Sequence, residues 1–175
     1  NFHKELEADI YDYCIPIGAS YPAEVLARRA QNNLPTTYYT CCTEAFPNTF
    51  TFSDPAEAAW MSYYSATDHR DGYLRWAYNS WPKEPLLDSR FEAWAGGDTY
   101  LVYPGARSSI RFEKLIEGVQ AHEKITILRK EFTDKKNKTG FKKLEKMLST
   151  FNLRDFPEVP AAETVNKANK ILNSL

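Results

Sequence analysis

The chain has 175 residues, enough for one domain that buries about two-thirds of its unfolded surface. Its 22 basic and 23 acidic residues nearly cancel, so it has no global basic field of the kind that holds nucleic acid. No apolar run approaches the ~18 residues of a membrane-spanning helix, and no signal peptide opens the sequence, which does not begin with Met.

In chain order, "DIYDYCIP" (9–16) makes a short strand, and "YPAEVLARRAQNN" (21–33) reads as a helix. Pro22 suits its first turn, with Val25, Leu26 and Arg29 at helical spacing. "TTYYTCCT" (36–43) is rich in β-branched and aromatic residues and is a strand. "EAFPNTFTFSDP" is too irregular for either element. Asp54 and Pro55 announce a helix that "AEAAWMSYYSA" supplies. After the turn "TDHRDG" comes a strand over 72–81, "GYLRWAYNSW". Period two sets Tyr73, Arg75, Ala77, Asn79 and Trp81 on one face, and the Asn79/Trp81 face is favoured as the inward one. Arg75 is awkward there and needs a carboxylate partner.

A Pro/Gly-punctuated excursion follows, with an extended piece at "TYLVYP". Ser109 caps the next helix, whose stripe is Ile110, Leu115, Ile116, Val119, Ile125 and Leu128. Residues 133–140 form a charged turn. Phe141, Leu144, Leu148 and Phe151 stripe another helix, and Val165, Ala168, Leu172 and Leu175 a last one, with Pro160 near its start. Alternating strands and helices argue for a parallel α/β sheet. Three strands make no closed barrel by themselves. They read as strands six to eight of a (β/α)8 TIM-type barrel over residues 1–132, with a helical extension over 133–175 packing on it. A free-standing three-layer sandwich is the alternative. Long aromatic loops follow the strands, on the face where such folds bind their ligands.

The charge is unevenly placed: residues 1–128 carry net −6 and residues 129–146 net +5. The lysine-rich segment reads as a solvated helix face rather than an RNA or lipid site. Cys14, Cys41 and Cys42 form no CxxC pair and read as buried free thiols. His3, His69 and His122 fall in no metal-ligand spacing, and no Walker loop, GxGxxG or GxSxG occurs. No cofactor is expected. Adjacent acidic residues occur nowhere; Glu44 and Asp98 are isolated loop carboxylates, for which a cap or an ion pair is the simpler role.

The aromatics point elsewhere. Trp60 sits on a helix and reads as core, but Trp76, Asn79 and Trp81 crowd a strand exit. Sugars present flat C–H faces ringed by hydroxyls; Trp and Tyr stack on the faces, and Asn, Asp and Arg take the hydroxyls. Tyr39, Asn48, Trp76, Asn79, Trp81, Asp98 and Tyr103 are therefore the candidate substrate-binding residues, with Trp94 and Tyr100 nearby.

"YYTCCTEAFPNTF", "DGYLRWAYNSWP" and "GGDTYLVYPGARSSIRFEKLIEGVQAHEKI" resemble the C-terminal half of the catalytic domain of glycoside hydrolase family 123, over about residues 36–130. The resemblance implies a (β/α)8 barrel in an exported bacterial protein. It implies a retaining β-N-acetylgalactosaminidase in which the substrate's acetamido group is the nucleophile. It also implies an adjacent Asp–Glu pair upstream of this chain: the Asp orients the acetamido group, and the Glu is general acid/base. The chain would then supply part of a sugar pocket and no catalytic residue. Its partners would be an amino-sugar glycan and the N-terminal half of the same protein, with self-association where that half is missing. The competing readings are a non-catalytic carbohydrate-binding module and a structural domain whose aromatics are core.

Overall fold

The computed structural model describes residues 2–154 and 158–175. After a short 3-10 turn at Lys4–Leu6 it contains β1 (Tyr13–Pro16), α1 (Ala23–Gln31), β2 (Thr36–Thr40), α2 (Ala56–Thr67), β3 (Gly72–Arg75), α3 (Ile110–Asp134), α4 (Lys138–Leu148) and α5 (Ala161–Leu172). The strands form a parallel sheet in the order β1-β2-β3, each pair joined by a helix, as parallel neighbours require. The fold is a mixed α/β arrangement of that sheet with five α-helices.

The register pairs Ile15 with Tyr38 and Tyr38 with Tyr73. This row points at the helices: the Tyr38 hydroxyl donates to the Met61 carbonyl of α2 at 2.5 Å, and Tyr13 and Ile15 pack with Val25 of α1. The other face carries Cys14, Pro16, Thr37, Tyr39, Gly72 and Leu74, and among the described residues no helix covers it. Leu74 is 43 % exposed.

α2 is buried on nearly every side because it lies between the sheet and the other helices. A helix apolar all round needs that setting. Its packing on α3 is close: a Cβ on Gly118 would stand 2.8 Å from the Ala59 Cα. α4 and α5 complete the layer through Leu144, Leu148, Val165, Ala168 and Leu172, in one core with Trp60 and Tyr63. Phe151 stacks on Tyr63 at 4.6 Å. Ser109 Oγ accepts from the Phe112 N–H, the expected cap, and Asn137 caps α4 in the same way.

Several expectations need correction. β3 ends at Arg75, well short of Trp81. Tyr73 lies on the face turned to the helical core and Leu74 on the bare face that a barrel would turn inward, the reverse of the expected inward row, and the strand alternation stops at Arg75, before Asn79 and Trp81. β2 ends at Thr40, leaving Cys41 and Cys42 in a loop; none of the three cysteines is fully buried, and Cys42 is exposed. "TYLVYP" forms no strand, only isolated bridges. The buried face of α3 is Arg111, Gly118, Ala121, Ile125, Leu128 and Phe132, while Ile110, Ile116 and Val119 are exposed. The stripe is rotated because the small residues Gly118 and Ala121, not the larger aliphatics, permit the approach to α2. α3 runs to Asp134, so the charged turn shrinks to residues 135–137.

Candidate functional site

The strand-end region is built around two buried arginines. Arg75, last in β3, has a side chain 4 % exposed. An unpaired guanidinium there would cost several kcal/mol, and the chain returns to meet it. Arg75 Nη2 donates to Asp98 Oδ1 at 2.6 Å and to the Asp98 carbonyl at 2.5 Å. Nη1 donates to Asn48 Oδ1 at 3.0 Å and reaches the Thr40 carbonyl at 3.4 Å. Arg111, in the first turn of α3, donates through Nη1 to the carbonyls of Thr49, Gly97 and Tyr100 at 2.5–2.9 Å. Both arginines thus tie the loop at 48–49 to the loop at 97–100. A parallel strand end leaves backbone carbonyls without ladder partners, and the guanidinium fork serves several acceptors at once.

Asn48 is fully buried. Its Nδ2 donates to the carbonyls of Cys41 and Glu44 at 2.7 and 2.6 Å, and its Oδ1 accepts from the Thr49 N–H. Glu44 closes the same turn by accepting from the Cys41 N–H at 2.8 Å. Below it, the carboxylate of Glu57 accepts from the N–H groups of Asn48 and Asp54 at 2.7 and 3.2 Å. Burial pushes its pKa up to about 7 against those hydrogen bonds.

Trp76 follows Arg75 directly. Its Nε1 donates to Asp98 Oδ1 at 3.2 Å. Its ring centroid lies 5.3 Å from that of Trp94, tilted by 45°, and the two residues are 40 % and 38 % exposed. Trp81 donates from Nε1 to the Val102 carbonyl at 2.7 Å. Asn79 is exposed and bridges antiparallel to Tyr100. Tyr103 is half-buried and meets Tyr100 edge-on at 5.2 Å. Tyr39 is half-buried on the open sheet face, in register with Leu74.

Of the residues proposed from sequence, Asn48, Trp76 and Asp98 are therefore gathered around Arg75. Asn79, Trp81 and Tyr103 lie along the contact between residues 78–81 and 99–103, and Tyr39 belongs to the sheet. Trp60 is core, 2 % exposed, as expected. Arg111 and Glu57 went unread. Arg111 falls within the buried period of α3 and breaks its apolar pattern; Glu57, three residues beyond Asp54, looks like an ordinary first-turn acid. Chemically, the region offers half-exposed indole faces backed by a neutralised, rigid polar network. Among the described residues, no cluster of His, Cys, Asp and Glu could hold a metal ion.

Comparison with known proteins bears on the family and the fold. The family model "Glycoside hydrolase 123, catalytic domain" matches residues 1–128, reaching further towards the N-terminus than the motif resemblance. None of the curated proteins compared matches the chain. Among solved structures, a family 123 glycoside hydrolase from Clostridium perfringens, described for glycolipid glycan hydrolysis, is similar at a TM-score of 0.79 and 26 % identity. The similarity covers 99 % of this chain and 33 % of that one, so the chain spans about a third of that protein's length.

Proposed function

The chain belongs to glycoside hydrolase family 123, and on that premise we propose that it forms the last part of a (β/α)8 barrel and one wall of its sugar pocket. The family implies a carbohydrate substrate. Consecutive parallel strands in sequential order, with helices on one face and a bare opposite face, support the barrel reading. In it, residues 133–175 extend the outer helical layer.

The observation that carries the pocket reading is the Trp76–Trp94 pair. The rings sit at the carboxyl end of β3, are left half-exposed, and are backed by the Asp98–Arg75 ion pair. A core tryptophan such as Trp60 is buried instead. Tyr39, Asn79, Trp81 and Tyr103 would border the same pocket. Asn48 and Asp98 would act from behind it, through Arg75 and Trp76. The substrate is an amino-sugar glycan, and the mechanism retains configuration by using the acetamido oxygen as nucleophile. The adjacent Asp–Glu pair this requires is absent from residues 1–175 and lies on the other part of the protein.

The test uses an aryl N-acetyl-β-galactosaminide. The 175-residue chain alone should not hydrolyse it, and the product of the full reading frame should. In that longer product, Trp76→Ala should lower kcat/KM by about tenfold, the equivalent of ~1.4 kcal/mol. Turnover by the chain alone, abolished by Asp98→Asn, would refute the assignment.

A further inference from the structure

Asp98 divides its work unevenly between its oxygens. Oδ1 accepts from both Arg75 Nη2 at 2.6 Å and Trp76 Nε1 at 3.2 Å. Oδ2, although buried, has no partner among the described residues. We propose that Asp98 is a positioning residue, whose Oδ1 sets the orientation of the Trp76 indole while Arg75 holds Asp98 in place. The proposal rests on the reading of Trp76 as part of a sugar-pocket wall and deepens it.

Three observations support it. β3 ends at Arg75, so strand pairing no longer sets the direction of the side chain at position 76. Trp76 is 40 % exposed, with Trp94 as its aromatic neighbour, so packing by itself restrains the ring weakly. The bond that remains, from Nε1 to Oδ1 at 3.2 Å, has an acceptor that the buried Arg75 holds in place. A stacking platform needs its ring held to within ~10–20°. The ion pair alone would neutralise the Arg75 charge; the added indole bond converts it into an orienting device.

The test measures hydrogen exchange of the indole N–H groups by NMR in the full 175-residue chain, with Trp76→Phe assigning the Trp76 resonance. In the wild type, the Trp76 N–H should exchange at least about tenfold more slowly than that of Trp94. Asp98→Ala should abolish the difference. Asp98→Asn should largely restore it, because the amide keeps an acceptor at the Oδ1 position and places its NH2 where Oδ2 has no partner. Asp98→Asn should nevertheless melt below wild type, since the charge pairing with Arg75 is lost. A role confined to the ion pair predicts instead that Asn and Ala fail alike in the exchange experiment. Equal exchange of Trp76 and Trp94 in the wild type would overturn the proposal even if Asp98→Ala did not fold. Titration of the full reading-frame product with N-acetylgalactosamine separates the two readings. Protected Trp76 with no sugar-dependent shift at Trp76 or Trp94 leaves the positioning intact and removes the pocket wall.

Discussion

Glu57 shows how one side chain couples the loop to the solvent. Its two oxygens each accept a backbone N–H, from Asn48 and Asp54, while burial pushes its pKa from 4.5 up to about 7. The folded state therefore binds this proton more tightly than the unfolded chain does. The group's contribution to stability is fully present below pH 4.5 and is lost as the pH rises through about 7. Glu57→Gln removes that titration and turns one acceptor into a donor facing an N–H, a loss of about 1 kcal/mol. The variant should melt below wild type at pH 4.5, and by pH 8 the gap should close or reverse, because wild type has then lost the stability tied to the Glu57 proton. A gap that widens with pH would show that Glu57 is charged and stabilising throughout. The sequence marks Arg75 as a charge in need of a partner, and Asp98 is among the carboxylates it singles out. What joins them is a return of the chain across 23 positions, which no local pattern contains. Trp76 reads from its place at the strand exit as a sugar-binding candidate; that its N–H is held by the same carboxylate is not legible there.

At the scale of elements, the helices were legible because their faces repeat. Val25 on α1, Leu144 and Leu148 on α4, and Val165, Ala168 and Leu172 on α5 are buried as their spacing predicts. α3 departs from its apparent stripe because a glycine, which carries no hydrophobic signal, makes the closest contact. Gly118→Ala tests this. Alanine improves intrinsic helix propensity by ~1 kcal/mol, yet its Cβ would lie 2.7–2.9 Å from Ser62 and the Ala59 backbone. Backbone cannot swing aside, so overpacking of about 1–3 kcal/mol should prevail, and the melting temperature should fall. A rise would mean that α2 and α3 separate readily. β3 was the harder case. Its aromatic continuation has strand propensity, but propensity reports a fit to a pleated, half-buried surface, and beyond Arg75 that surface is replaced by two loops. Arg111 locks those loops together, so Arg111→Met should leave the carbonyls of Thr49, Gly97 and Tyr100 without their buried donor. The expected loss is about 3 kcal/mol, with amide exchange accelerated most in residues 48–50 and 97–101. Uniform acceleration along the chain would instead indicate that Arg111 supports the fold globally.

For the whole molecule, the decisive feature is an asymmetry between the two faces of the sheet. One face carries Ile15, Tyr38 and Tyr73 into the helical layer. The other carries Thr37, Tyr39 and Leu74, with Trp76 just beyond β3, and among the described residues no helix or strand covers it. The outer edges of β1 and β3 are likewise unpaired. Uncovered edges and apolar faces recruit partners from solution. In the barrel proposed above, this face looks inward and the missing strands cover both edges. In the 175-residue chain alone, the available cover is another copy of itself. The chain should therefore self-associate with rising concentration in light scattering or sedimentation. Leu74→Lys should reduce that association with little effect on melting, because Leu74 is 43 % exposed and loses little packing when changed. Net charges of −6 over residues 1–128 and +5 over 129–146 offer a second route, by ionic pairing between copies, and the two differ in their response to salt. Association through the sheet face should persist or strengthen as salt rises, whereas ionic pairing weakens as the Debye length falls below ~10 Å. A chain that remains monomeric at high concentration in both low and high salt would identify the three-stranded sheet as a self-sufficient α/β domain, and would remove the main physical argument for a barrel completed by another part of the protein.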